Sequence, residues 1–201
     1  MGRSRNVVGM AVAAVVLAGC STTDSEGVSV TTVSETVTST AAPSEASTTS
    51  PGVTDGVGDA GPKTAQAGQG ARLTVTDIRT GVHPGFDRVV YELDGTGSPG
   101  WRVSYVDDAV QMGSGFPVEV AGNAILEVEI GGSAYPFDTG VEPYDGPDPV
   151  RAQPGGSVVE VRDALVFEGV TQSFIGVAEP GTPFRVSSLT TPTRLVIDVQ
   201  R

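Results

Sequence analysis

From Ala71 to the C-terminus, short runs of alternating apolar and polar residues are cut apart by Gly and Pro. A side-chain period of two marks a half-buried strand. Leu73 and Val75 oppose Thr74 and Thr76, and Leu126, Val128 and Ile130 oppose Glu127 and Glu129. Further runs are Phe86–Leu93, Trp101–Val106, Val158–Phe167, Ser173–Ala178, Phe184–Leu189 and Arg194–Val199. No window keeps an apolar stripe of helical period long enough to require a helix. With 27 Gly and 14 Pro against 5% aromatic residues, turns must be frequent. The pattern predicts one all-β domain over 71–201, an antiparallel sandwich or barrel. The Pro- and Gly-rich stretch Ser133–Gly156 reads as a long irregular excursion carrying a short turn of 3₁₀ helix.

Two of these runs share a scheme. Asp87-Arg88-Val89-Val90-Tyr91-Glu92-Leu93 and Thr193-Arg194-Leu195-Val196-Ile197-Asp198-Val199 both read x-Arg-apolar-Val-apolar-acid-apolar. The strand period puts Val89, Tyr91 and Leu93 on one face and Arg88, Val90 and Glu92 on the other. Within one strand the Arg and the acid are about 13 Å apart, too far to pair. An antiparallel register would instead set Arg88 opposite Asp198 and Arg194 opposite Glu92. Such cross-strand pairs contribute roughly 0.2–1 kcal/mol each and help to fix register.

The N-terminal part has a different character. Arg3 and Arg5 precede Val7–Ala18, an uncharged and mostly apolar stretch. It is too short to cross roughly 30 Å of hydrocarbon and fits the core of a secretory signal. Leu17-Ala18-Gly19-Cys20 then places small residues directly before the only cysteine, which resembles a bacterial lipobox. The expectation is a lipoprotein signal peptide over 1–19 and lipidation of Cys20. Two acyl chains there would hold the chain stably on the extracytoplasmic face of the cell membrane. Ser and Thr supply 19 of the 50 residues from 21 to 70, and none of the 50 is aromatic. A segment of that composition cannot bury enough apolar surface to offset its ordering entropy. Residues 20–70 are therefore expected to be a disordered tether, and the domain to begin at 71.

The segment His83-Pro84-Gly85-Phe86-Asp87-Arg88-Val89-Val90-Tyr91-Glu92-Leu93 carries a resemblance. So does the terminal Pro183-Phe184-Arg185-Val186, followed by Arg194-Leu195-Val196-Ile197-Asp198-Val199. With the lipobox and the Ser/Thr-rich stalk, they resemble actinobacterial lipoproteins that carry an AMIN-like domain. The resemblance covers about Ala71 to Arg201. It implies a small β-sandwich that localises proteins in the cell envelope, in several cases through peptidoglycan. The expected function is a non-catalytic binding or localisation module. The alternative is a protein-interaction lipoprotein that recruits an envelope enzyme or a secretion component.

Composition narrows the chemistry. Twelve Lys and Arg against 24 acids give a formal charge of -12, which disfavours nucleic acid as a partner. One Cys makes no internal disulfide or thiolate cluster, and one His cannot supply a two-His zinc site. No cofactor or metal is expected, and no enzyme. Gly95-Thr96-Gly97-Ser98-Pro99-Gly100 has the spacing of a dinucleotide loop, but a strand-like run follows where a helix would be needed; it reads as a hairpin loop. Asp138, Glu142, Asp145 and Asp148 lack the ordered spacing of a calcium loop and read as a solvated acidic segment. His83 reads as a loop residue, and Ser114 lacks a hydrolase-elbow spacing. Five residues remain as candidates for a binding surface. Arg88, Arg102 and Arg185 suit the carboxylates of peptidoglycan stem peptides, since a guanidinium fork matches a carboxylate, although the excess of acid favours each Arg offsetting a neighbouring acid. Trp101 and Tyr105 offer rings for stacking on sugars, although sharing a strand face with Val103 favours a place in the core.

Overall fold

The computed structural model describes residues 58–201. The expected signal peptide, Cys20 and most of the expected tether lie outside the described residues. Ten strands and one helical turn follow in the order β1 (Lys63–Ala65), β2 (Arg72–His83), β3 (Phe86–Thr96), β4 (Gly100–Val106), β5 (Ala124–Gly131), α1 (Pro136–Thr139), β6 (Val150–Arg151), β7 (Val158–Phe167), β8 (Val170–Val177), β9 (Phe184–Leu189) and β10 (Thr193–Gln200). They form two antiparallel sheets, one ordered β2-β3-β10-β9 and the other β1-β4-β5-β8-β7-β6. The fold is a β-sandwich, as the alternating runs and the resemblance imply.

The inner positions of both sheets meet in one core. Val89, Tyr91 and Leu93 of β3, Leu195, Ile197 and Val199 of β10, and Leu126, Val128 and Ile130 of β5 are all buried there. Full burial of one such aliphatic side chain stabilises by roughly 1.5–3 kcal/mol. Tyr91 reaches across from the four-stranded sheet to Ser173 of β8, with 3.0 Å between Oη and Oγ. Ser173 Oγ donates to the Arg162 carbonyl, so the phenol donates to Ser173. Burial pushes the Tyr91 phenol far above its usual pKa, which keeps this donor protonated.

The β3–β10 register is the one the repeated scheme predicts, with Arg88 opposite Asp198 and Arg194 opposite Glu92. Three expectations are corrected. First, order begins earlier than Ala71. Phe184 N donates to the Asp59 carbonyl at 3.1 Å, and Lys63–Ala65 pairs with β4 from Val103 to Trp101. Lys63 then binds Asp59 Oδ1 at 2.6 Å and lies over the Phe184 ring. A three-residue strand draws its stability from the sheet edge it joins, so composition gives no sign of it. Second, the glycine-rich 95–100 segment is no hairpin loop: it carries the chain from β3 in one sheet to β4 in the other. Gly95 has φ +119, and a Cβ there would collide with the Arg72 carbonyl. Third, the turn in the 133–156 excursion is α rather than 3₁₀. Gly140, at φ +70, donates its N–H to the Pro136 carbonyl four residues back.

One long connection, residues 107–123, lies across the outer face of the six-stranded sheet. Gln172 of β8 holds it: its Nε2 donates to the Val110 carbonyl at 3.0 Å, and its Oε1 accepts from Met112 N at 2.7 Å. Glu160 of β7 accepts from Ala121 N at 3.0 Å. Gly176 leaves the space that the Ala121 carbonyl occupies. Phe174 is fully buried at an outward position for this reason.

Candidate functional site

The outer face of the four-stranded sheet is built differently. Alternation along β3 points Phe86, Arg88 and Val90 outward, and along β10 it points Val196, Asp198 and Gln200 outward. The pairing sets Asp198 between Arg88 on one side and Arg185 of β9 on the other. Arg88 takes Asp198 bidentately, Nε to Oδ1 at 2.7 Å and Nη2 to Oδ2 at 2.8 Å. These hydrogen bonds raise the Arg88 pKa further, against the opposing effect of burial. Both oxygens of Asp198 are thus engaged, and among the described residues Arg185 enters no ion pair. At this end of the sheet two guanidinium groups face one carboxylate, in a chain whose formal charge is -12.

Aromatic rings continue the surface. The two-residue turn Pro84-Gly85, with Gly85 at φ +86, joins β2 to β3 and sets His83 opposite Phe86. Their rings stack at 4.8 Å with 10° between planes, and Arg88 lies 5.1 Å from the Phe86 ring centre. A depression of about 170 Å³ opens beside them, lined by Pro84, Gly85, Phe86, Arg185, Asp198 and Gln200. Behind it Asp87 points inward and is buried. It accepts from Arg201 Nε at 2.7 Å and from Val158 N at 3.1 Å, tying the C-terminus and β7 to the hairpin. The arrangement is a shallow platform with a free guanidinium, a phenyl ring stacked on an imidazole, and the Gln200 amide at its rim. It has the means to hold a carboxylate and to pack on a flat ring.

The five candidate residues do not form one surface. Arg88 and Arg185 come together. Arg102 lies on the outer face of the other sheet, 3.3 Å from Glu129 and 3.7 Å from Glu127. Trp101 is in the core at 9% exposure. Tyr105 is half-buried, edge-on to Phe184, with its phenol on the Thr182 carbonyl at 2.8 Å. The second expected ion pair also differs. Arg194 stands opposite Glu92, but Glu92 binds Arg79 at 3.0 Å, and Arg194 Nε donates to the Pro192 carbonyl. Sequence reasoning missed Phe86 and Gln200, whose place follows from the β3–β10 pairing and the hairpin turn together. Of the acidic segment, Asp138 meets Arg72 at 3.4 Å and Asp148 lies 3.9 Å from Arg162. No cluster of three or more His, Cys, Asp or Glu suited to a metal occurs among the described residues. Ser114 donates to Gln111.

The fold and this platform define a small antiparallel β-sandwich with a localised cationic and aromatic surface. Residues 73–201 match the AMIN-like domain family, so the chain belongs to that family. No curated protein and no solved structure matches it.

Proposed function

We propose that the chain is a non-catalytic module of the cell envelope, held to the extracytoplasmic face of the membrane by lipid on Cys20. Its AMIN-like domain binds peptidoglycan through the platform at the β2–β3 turn. The observation that carries this reading is Arg185, exposed and, among the described residues, without an ion partner beside the closed Arg88–Asp198 pair. In that setting a stem-peptide carboxylate completes the charge balance through a guanidinium fork. The Phe86 and His83 rings receive the body of the ligand. Purified sacculi should retain the full chain, and Arg185→Gln should release most of it. Equal retention of the variant would overturn the assignment of the surface, and no retention of the parent would overturn the ligand. For the anchor, Cys20→Ser should move the protein from the membrane to the soluble fraction.

A second reading, recruitment of an envelope enzyme or secretion component, draws on the edge of β9. Among the described residues that edge is bridged only at Phe184, by Asp59. Crosslinking in intact cells separates the two, since a protein partner gives a discrete adduct and the sacculus does not.

A further inference from the structure

A larger cleft lies where the C-terminal end of β4 and the start of β5 meet the connection between β8 and β9. It has a volume of about 510 Å³, within the range of small-molecule sites. Val120, Ile125 and Pro180 with the Tyr105 ring supply apolar wall. The polar lining is one-sided. Asp107 is its only charged residue, and among the described residues Asp107 enters no ion pair. Tyr105 spends its hydroxyl proton on the Thr182 carbonyl, which leaves lone pairs on the phenol oxygen. Asn123 spends one N–H of Nδ2 on the Ala178 carbonyl at 2.8 Å, which leaves Oδ1 and the second N–H. What remains for a ligand is therefore mainly acceptors, a carboxylate, an amide oxygen and a phenol oxygen, with one amide N–H and an apolar wall.

An anion would find a single amide N–H set against the charge of Asp107, and a neutral apolar group would strand the acceptors. A primary ammonium supplies three donors and no acceptor. Carried on an aliphatic stem, it also covers the wall, since such stems pack on apolar surface while the head stays polar. We infer that this cleft binds a lysine-type side chain of a peptide, with the ammonium on Asp107 and Asn123 Oδ1 and the methylenes against Tyr105 and Pro180. The inference goes beyond the proposed platform and stands whether or not that surface binds the wall.

The test is a titration of the isotope-labelled full chain, followed by amide resonances. The probes are N-acetyl-lysine methylamide and its uncharged analogue N-acetyl-norleucine methylamide. The lysine probe should shift Tyr105, Asn123 and Gly181 saturably, and the norleucine probe should bind about tenfold more weakly, the effect of one charge-assisted hydrogen bond. Asp107→Asn, at an exposed position, should lower lysine-probe affinity by a similar factor. Arg185→Gln should leave it unchanged, which separates this site from the platform. Equal response to both probes, no saturable shift with lysine, or an unaltered Asp107→Asn would overturn the inference. Tighter binding of phosphoethanolamine than of the lysine probe would overturn the assignment to a peptide in favour of a lipid headgroup.

Discussion

The two outer faces of the sandwich use the same charged residue types to opposite ends. On the six-stranded sheet each outward Arg has acidic neighbours: Arg102 meets Glu127 and Glu129, and Arg151 meets Glu160 at 3.0 Å. The 107–123 connection then covers the middle of that face and buries Phe174 and Gln172. Among the described residues no connection crosses the turn end of the four-stranded sheet, and Asp198 stands between two arginines but pairs with Arg88 alone. The first face is closed by its own chain, while the second leaves a guanidinium and two rings open to a partner. Charge count alone does not separate a binding surface from a structural one. What separates them is whether the fold supplies the counter-ion and the cover.

The comparison can be broken at its covered side first. Gly176→Val drives a side chain into the Ala121 carbonyl and should lift the 107–123 connection from the sheet. Overpacking against backbone costs about 3 kcal/mol. A marked fall in thermal midpoint with faster hydrogen exchange across 107–123 checks it, and an unchanged midpoint would show that the connection is not packed as described. Glu160→Gln should cost about 2 kcal/mol in denaturant unfolding, because Arg151 and Arg162 lose the buried carboxylate between them. That figure is below the usual cost of breaking a buried pair, since both arginines reach solvent.

On the open side, Asp198→Asn should lower stability by about 1 kcal/mol through loss of the bidentate pair with Arg88. The same change frees a second guanidinium at the platform. It should therefore tighten retention on sacculi while weakening the fold, a combination that a purely structural pair would not give. Arg102→Gln, on the covered face, should change stability by under about 0.5 kcal/mol and leave sacculus retention as it was.

The smallest effect is a pH-dependent one. Burial, and after it the charge of Asp148, raise the Asp163 pKa in the fold. A carboxylate held above its usual pKa works against folding wherever it is ionised in the unfolded chain. Solvent screens this partly exposed carboxyl, so Asp163→Asn should stabilise by only a few tenths of a kcal/mol at neutral pH. The gain should vanish as pH falls below the usual carboxylate range. Asn also suits the backbone there, which has φ +56. Denaturant midpoints of parent and variant at two pH values measure the difference.

Much of the fold was legible before any coordinates. Period-two alternation fixes which residues of a strand share a face, so the inward Val89, Tyr91 and Leu93 and the inward Leu126, Val128 and Ile130 were readable one strand at a time. The matched charge schemes even gave the β3–β10 register, because a shift by one residue would turn every apolar side chain outward. The short β1 strand was not legible, since its stability comes from the β4 edge and not from its own residues. Half of the site was legible as well: Arg88 with Asp198 followed from that register.

What the sequence by itself determined is the all-β character, the facing of each strand and one ion pair, because these follow from spacing along the chain. The tertiary structure decided that Arg185 joins Arg88 while Arg102 does not, and that the 107–123 connection lies across the six-stranded sheet. Alternation tells which residues of a strand point together, but carries no record of which sheet the strand enters or which strand lies beside it. Those choices come from packing two sheets on one core, where distant segments compete to cover the same apolar surface and satisfy the same backbone groups.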